Sequence, residues 1–332
     1  MHTDPTLSNT TPQGTAPHPA PRLEIAIRSL LSPTGHGRKE NQDNFLLIDG
    51  EGYARFLWDE QETQRQLPGW PPGHQRLAVL DGMGGHSHGR EASEQAVIGL
   101  LDIPAMSELA PLSDALNLLH QRLYREFQQA GLETGCTLIL LEIPTDASSL
   151  LFHVGDSRLY MVDAHQAQCL TVDHVPATHL ALLGLLDSTQ WLQQVHVQTS
   201  SQISQAFILG STLGAENFYA DAIDEKLYEL HEGNLPLFLR GLNDRRLLTL
   251  EPDRVYLLAS DGLWHLHYPQ TFIRRWPALL AQPQQPLETL IDELLAELAA
   301  TIRQQHCQPD DNSTVILVRR STRSEECAGD AR

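Results

Sequence analysis

The sequence has few cysteines, and none of them is spaced as a zinc ligand pair. The 332 residues include four, at Cys136, Cys169, Cys307 and Cys327, without a Cys-x-x-Cys pair, which argues against a zinc site. The sequence also lacks an apolar run of transmembrane length, and its first residues lack the hydrophobic region of a secretory signal. We therefore expect a protein of the reducing cytoplasm with no membrane partner.

Basic residues are also scarce, since 23 lysines and arginines stand against 42 aspartates and glutamates, for a net charge of −19. This acidic excess argues against a nucleic-acid partner and disfavours anionic membrane surfaces. No two of the 16 histidines stand at i, i+4 beside a carboxylate, so histidine pairs predict no metal site. Hydrophobic residues make up 41%, which is typical of a globular chain with a substantial core.

The middle of the chain shows no sign of a domain boundary. We predict a disordered leader over 1–21, a single domain over 22–320 and a polar tail over 321–332. No linker rich in Pro, Gly or Ser and no internal repeat divides the central part.

Hydrophobic periodicity predicts consecutive elements of the same type. Apolar runs predict strands over 23–30, 44–49, 135–143, 150–162 and 314–319. Helical spacing predicts helices over 90–101, from an N-cap at Ser113 to Phe127, and over 287–302, while 51–75 favours a long loop or a hairpin extension. Strands in succession and helices in succession favour an α+β fold of antiparallel sheets covered by helices.

Four carboxylates stand at predicted strand ends. The run 77–80 leads into Asp81, and a glycine there lets the backbone turn and its carbonyl approach a ligand closely. The theme recurs at Asp156, at Asp261 and at Asp311. An Asp-Gly step alone is more often a turn, but four carboxylates at strand ends along the chain indicate a metal centre assembled by tertiary folding. Carboxylates and a carbonyl are an all-oxygen set, which suits Mg²⁺ or Mn²⁺ better than Zn²⁺.

Seven short elements in order resemble the metal-dependent serine/threonine protein phosphatases (type 2C, the PPM family), in the form of its bacterial branch. They are Arg38-Lys-Glu-Asn41-Gln42-Asp43, Asp81-Gly-Met-Gly-Gly-His86, Gly135-Cys-Thr137, Val154-Gly-Asp-Ser-Arg158, Leu170-Thr-Val-Asp-His174, Ser260-Asp-Gly-Leu263 and Asp311-Asn-Ser-Thr314. The resemblance runs over about 23–320. It implies two central antiparallel β-sheets packed face to face, with helix pairs on the outside.

The resemblance also implies the activity and its partners. The expected reaction is hydrolysis of phosphoserine and phosphothreonine by direct attack of a hydroxide that bridges two metal ions. The expected cofactors are two core Mg²⁺ or Mn²⁺ ions with a third, weaker one. The expected partner is a phosphorylated protein, either a serine/threonine kinase that the enzyme opposes in a bacterial signalling system or a target of that kinase.

By matched position, the resemblance assigns five residues to the metals. Asp81 bridges both core ions, the Gly82 carbonyl binds one of them, and Asp261 and Asp311 bind the other. Asp156 matches the ligand of the third ion, which it shares with Asp261. If the match to the family is shifted by one residue, the neighbouring Asp310 would be the ligand instead of Asp311.

Four further residues take supporting roles through the resemblance. Arg38 matches the phosphate-binding arginine, and a guanidinium can bind two phosphate oxygens at once. Asp43 orders water around the metals, and Asn312 holds a neighbouring carboxylate or backbone in place. Gln42 stands where many members have a glutamate, which predicts a weaker metal site on that side.

Other positions leave alternatives open. Arg158 is expected to brace the structure near Asp156, and Asp173-His174 to be a structural pair. Met83 replaces the histidine of eukaryotic members and cannot donate a proton, so metal-bound water or His86 would be the general acid. The unfamiliar stretch 217–247 and Gln42 motivate a rival function, a catalytically weak phosphatase-like domain that binds a phosphoprotein or a signalling partner.

Overall fold

Two antiparallel sheets form the centre of the protein. The computed structural model describes residues 23–83, 88–195, 209–210, 227, 229–307 and 311–320. The predicted leader, the predicted tail and Asp310 lie outside these residues, as does His86. One sheet has five strands, in the order β1 (Leu23–Leu30), β13 (Ser313–Arg320), β12 (Val255–Ala259), β9 (Arg158–Val162) and β10 (Ala167–Cys169).

The other sheet has eight strands, and every strand pair in it is antiparallel. Its order is β11 (Arg245–Leu248), β8 (Ser149–Val154), β7 (Leu138–Ile143), β5 (Gln75–Met83), β2 (Asp43–Ile48), β3 (Tyr53–Trp58) and β4 (Gln61–Gln66), with the short β6 (Gly135–Cys136) paired to the end of β5.

The alternation of side chains along each strand divides the core into layers. In β5, Leu77 and Val79 join Leu258 and Ile316 of the other sheet in the core between the sheets. The residue between them, Ala78, faces the opposite way into the core under the helices. The sheets therefore pack face to face, as the sequence predicts.

Helices cover the two outer faces. The helices α1 (His88–Asp102) and α2 (Leu109–Ala130) pack on the eight-stranded sheet. On the five-stranded sheet lie α5 (Pro269–Ile273), α6 (Trp276–Leu280) and α7 (Leu287–Gln305). The short α3 (Pro176–Leu182) and α4 (Ser188–Val195) pack in a smaller apolar cluster with residues 230–239. The α+β prediction is confirmed. No helix among the described residues is long and apolar enough to span a membrane.

Two local predictions were wrong in detail. Helix α2 begins at Leu109 with Glu108 at the N-cap, so Ser113 lies inside the helix; Pro111 is tolerated there because the first turn needs no internal N–H bond. The single strand predicted over 150–162 is two strands in different sheets. The chain crosses between the sheets at Gly155, whose φ of +104° and close approach to Thr137 suit glycine alone. The stretch 51–75 forms the hairpin β3–β4.

Candidate metal centre

The strand ends bring the predicted carboxylates together at one end of the sandwich. Antiparallel pairing of β2 with β5 places Asp43 directly opposite Asp81. Burial raises the pKa of Asp81 well above its ordinary value, and the charges of Asp43, Asp261, Asp311 and Asp156 raise it further. Like charges this close, in a buried setting, favour either protonation or a bound cation.

Asp43 connects the two sheets. Its carboxylate accepts a hydrogen bond of 2.6 Å from the Ser260 hydroxyl, and that hydroxyl accepts one of 3.0 Å from the Thr314 amide. Burial raises the pKa of Asp43 to about 7, partly offset by the Ser260 hydrogen bond. Because Ser260 directly precedes Asp261, this contact fixes β2 against the strands that carry Asp261 and Asp311.

Asp156 lies where the chain leaves β8 for the other sheet. It is buried, and its Oδ1 has no hydrogen-bond partner among the described residues. Burial raises its pKa well above the ordinary value, and the charge of Asp261 raises it further. A buried carboxylate oxygen without a donor is costly, so this environment fits a cation shared with Asp261.

Asp261 and Asp311 form a three-residue cluster with His265. The Nδ1 atom of His265 lies 4.0 Å from an oxygen of each carboxylate, and one possible ligand atom from each residue lies within 4.8 Å of the others. Interaction with Asp261 raises the pKa of His265, against the opposing effect of burial. Reasoning from the sequence missed His265, although its i+4 spacing from Asp261 was an available signal.

Arg38 lies at the exposed side of this cluster. Its guanidinium donates to both oxygens of Asp311, with Nε 2.8 Å from Oδ1 and Nη2 3.0 Å from Oδ2. The arginine side chain is 50% exposed and that of Asp311 only 16%. Arg38 can therefore reach both the buried carboxylates and a ligand arriving from solvent.

Asn312 holds the segment that carries Arg38. Its Oδ1 accepts from the Gln42 amide at 2.9 Å, and its Nδ2 donates to the carbonyls of Leu31 at 2.9 Å and Glu40 at 3.1 Å. Its own amide donates to Oδ1 of Asp311. One buried amide side chain thus ties the 31–42 segment to the start of β13.

Comparison with known proteins finds relatives that are named protein phosphatases. No protein-family model matches the chain. A human protein named probable protein phosphatase 1N is 26% identical over 271 residues, which is 75% of this chain and 56% of that protein. Protein phosphatase PhpP of Streptococcus pneumoniae is 31% identical over 166 residues, or 48% of this chain and 59% of PhpP. The chain is therefore similar to protein phosphatases, in agreement with its resemblance to the type 2C (PPM) family. It spans between about half and three fifths of the length of these curated relatives.

Solved structures of bacterial phosphatases share the fold of this chain. The serine/threonine phosphatase of S. agalactiae superposes with a TM-score of 0.61 at 20% identity, covering 90% of this chain and 100% of that one. The catalytic domain of the phosphatase PstP, solved in complex with two manganese ions, superposes with a TM-score of 0.55 at 20% identity, covering 90% and 97%. The predicted sandwich architecture is confirmed by these likenesses.

Two glycines at the site, Gly82 and Gly262, allow neighbouring backbone segments to approach closely. A Cβ added at Gly82 would lie 1.9 Å from the Gly89 carbonyl oxygen, and one added at Gly262 would lie 1.8 Å from that of Asn312. The first contact seats the N-terminal turn of α1 against the end of β5. The second holds Asp261 beside Asp311. Any larger residue would move one strand end from the other.

Thr137 positions the end of β5, a role that sequence reasoning did not assign. Its hydroxyl accepts from the Asp81 amide at 2.9 Å and bonds the Ser157 hydroxyl at 2.7 Å, while its amide donates to the Asp81 carbonyl. Thr137 therefore links Asp81 to the crossover that carries Asp156.

Arg158 is a structural brace, as predicted. It donates to both oxygens of buried Asp173, with distances of 2.9 Å from Nε and 2.6 Å from Nη2, and it stacks over Trp264 at 4.4 Å. His174 accepts from the Gly155 amide, so Asp173 and His174 support the crossover separately. Of the unfamiliar stretch 217–247, the structure describes only 227 and 229–247, which include a 3-10 helix at Leu237–Leu239 and β11.

Proposed function

We propose that this chain is a metal-dependent protein phosphatase that hydrolyses phosphoserine and phosphothreonine. The observation that carries the proposal is the convergence of four carboxylates, Asp81, Asp156, Asp261 and Asp311, at one end of the sandwich. Burial and the neighbouring carboxylate charges there raise the pKa values of Asp81 and Asp156. Arg38, a donor suited to phosphate, stands at the exposed side of the same cluster. The names of the relatives and the two manganese ions of PstP support this assignment.

The donor set fits two hard divalent cations and a third. Asp81 would lie between the core ions, with the Gly82 carbonyl on one side and Asp261 and Asp311 on the other. Asp156 would share the third ion with Asp261. The ion would be a partner for Oδ1 of Asp156, which has no hydrogen-bond donor among the described residues. When bound, such ions neutralise phosphate charge and activate a water for in-line attack. Mg²⁺ and Mn²⁺ both suit the oxygen ligands.

The protein's own side chains bind and orient the substrate. Arg38 would bind two oxygens of the phosphoryl group, in the same fork geometry that it makes with Asp311. Asn312 keeps the Arg38 segment in register with Asp311. Asp43, through Ser260, holds the β2 end against the site, and it would order water around the metals. Gln42 brings a neutral amide where a carboxylate would add charge.

The partners follow from this reaction. The substrate would be a phosphorylated protein, and the enzyme would oppose a bacterial serine/threonine kinase in the cytoplasm. We propose a single phosphatase domain over 22–320 for this activity.

Two substrates test the proposal. Hydrolysis of p-nitrophenyl phosphate and of a phosphothreonine peptide should require added Mn²⁺ or Mg²⁺ and stop with EDTA. Asp81→Asn should lower kcat/KM by about 10³-fold, since a lost bridging ligand costs several kcal/mol of transition-state stabilisation. The surface variant Asp114→Asn should retain activity.

Full hydrolysis by metal-stripped protein would contradict the metal-dependent mechanism. Metal-dependent binding of the phosphopeptide without turnover, in the same preparation, would instead support the rival function of a phosphoprotein-binding domain.

A further inference from the structure

The Asp261–His265–Asp311 cluster contains one candidate nitrogen ligand, the His265 imidazole, which is not part of the all-oxygen ligand set described above. Ligand atoms about 2.0–2.2 Å from one ion lie at most about 4.4 Å apart. The Nδ1 atom of His265 is 4.0 Å from Oδ2 of Asp261 and 4.0 Å from Oδ2 of Asp311. These separations are too long for hydrogen bonds but lie within the span of ligands to a common ion.

The backbone holds His265 in this position. Asp261 begins a 3-10 turn, Asp261–Leu263, and the Trp264 amide donates to the Asp261 carbonyl at 2.9 Å. The neighbours of His265 on both sides, Trp264 and Leu266, are buried in the core of the five-stranded sheet, whereas the His265 side chain is 28% exposed. The imidazole is thus presented to the carboxylates by a turn that packing fixes on either side.

A second observation points to a cation at Asp261. The buried Asp156, whose Oδ1 lacks a hydrogen-bond partner among the described residues, is repelled by the Asp261 charge. Arg38 donates to both oxygens of Asp311, but no such cationic side chain donates to Oδ1 of Asp156 among the described residues. A cation between Asp261, Asp311 and His265 would compensate the Asp261 charge that acts on Asp156.

We propose that His265 is a metal ligand and that its nitrogen makes the Asp261–Asp311 site selective for a first-row transition ion such as Mn²⁺ over Mg²⁺. This inference rests on the proposed divalent centre and adds a ligand to it. Imidazole nitrogen binds borderline transition ions readily, whereas Mg²⁺ keeps oxygen ligands and water. A mixed nitrogen–oxygen set therefore discriminates between two ions that an all-oxygen set accepts alike.

Pulsed EPR of the Mn²⁺-loaded full chain tests the ligand directly. Wild-type protein should show nitrogen modulation from a coordinated imidazole, and ¹⁵N-histidine labelling should change its frequency. His265→Ala should lose the signal. His267→Ala, two residues away on an exposed position, should keep it. His265→Asn, which retains a polar side chain, provides a second variant whose fold is checked by circular dichroism.

Titration calorimetry tests the selectivity. In His265→Ala the Kd for Mn²⁺ should rise about tenfold, a change typical for loss of a group that supports a metal, while the Kd for Mg²⁺ should change far less. Mn²⁺ binding by wild-type protein without nitrogen modulation, or an unchanged ratio of the two Kd values, would overturn this inference alone. Failure of the wild-type chain to bind either ion would overturn the proposed metal centre as well.

Discussion

Arg38 contacts Asp311 through Nε and Nη2, and in the proposed reaction the same guanidinium binds phosphate. Arg38→Ala should raise KM for a phosphothreonine peptide by about 30-fold, since two charge-assisted hydrogen bonds together contribute about 2 kcal/mol. The KM of Arg38→Lys should lie between those of wild type and Arg38→Ala, because a lysine retains the charge but cannot bind two phosphate oxygens at once. The measurement is steady-state kinetics at saturating Mn²⁺.

Whereas Arg38→Ala should weaken substrate binding, it should not weaken metal binding. Loss of a positive charge beside Asp311 removes repulsion of an incoming cation, so Mn²⁺ should bind Arg38→Ala at least as tightly as wild type. A lower kcat with an unchanged KM would show that Arg38 acts in the transition state alone.

Gln42 lies at the junction of three parts of the site. Its amide donates to Asn312, its carbonyl accepts from Gly82, and its side chain packs beside Gly89 at the start of α1. Gln42→Glu should lower the Mn²⁺ concentration for half-maximal activity, because a carboxylate adds negative charge near the cations and suits a helix N-terminus. Gln42→Leu is the matched control and should not lower it. Superimposable metal titrations of wild type and Gln42→Glu would remove this position from the metal environment.

At the scale of elements, the close approach of the Asp261 turn to β13 positions two predicted ligands. Gly262→Ala places a Cβ 1.8 Å from the Asn312 carbonyl oxygen, so one strand end has to move. We expect a loss of unfolding free energy of about 3 kcal/mol, as in overpacked cores, together with weaker Mn²⁺ binding.

The control is Gly184→Ala, whose φ is +71° but whose Cβ would meet open space. This variant should lose only about 1 kcal/mol from backbone strain and should bind Mn²⁺ normally. Urea unfolding and calorimetry of both variants separate the steric effect from the conformational one. Equal losses of unfolding free energy and of Mn²⁺ affinity in the two variants would show that the close approach at Gly262 is not the cause.

Strand β8 contains a buried histidine, His153, just before the crossover between the sheets, and its Nε2 donates to the Ser157 carbonyl at 2.7 Å. Burial lowers the pKa of His153 from 6.5 to about 4. Between these values the unfolded chain binds the proton and the folded chain does not, so this group's contribution to stability is lost as pH falls from about 6.5 to about 4. The full loss is about 3 kcal/mol.

His153→Gln should therefore reduce acid sensitivity, because glutamine can donate to Ser157 but does not titrate. Urea unfolding between pH 4 and 7.5 should show that the free energy of unfolding of His153→Gln decreases less than that of wild type as pH falls. His267→Gln, at an exposed position, should follow the wild-type curve. A difference between His153→Gln and wild type that is independent of pH would show that the effect is packing alone.

At the scale of the whole molecule, two sheets converge on a cluster of carboxylates that repel one another. The pKa of Asp81 is raised by burial and by four neighbouring charges. Mn²⁺ should therefore stabilise the fold, by about 2.7 kcal/mol when its concentration is 100 times Kd. For a chain of this size that shift raises Tm by roughly 5 °C. Differential scanning calorimetry with Mn²⁺ or EDTA measures the effect, which Asp81→Asn should lose and Asp114→Asn should keep.

Much of the local structure and the chemistry of the site could be predicted from local sequence patterns. Apolar periodicity located β1, β13 and α7, because it records which face of an element is buried. Asp81, Asp156, Asp261 and Asp311 stood out as carboxylates at strand ends, and their oxygens already favoured hard divalent ions. These properties depend on neighbouring residues, so they can be predicted before the chain is folded.

The way in which these elements meet depends on long-range contacts that local patterns do not contain. Periodicity reports burial but not which sheet buries a strand, so the run 150–162 did not reveal its division into β8 and β9. Arg38 and Asp311 are 273 residues apart yet bind each other, and the contacts Asp43–Ser260 and His265–Asp311 likewise join distant segments. Such contacts arise from strand pairing and close backbone approach at Gly82 and Gly262, which no local pattern specifies.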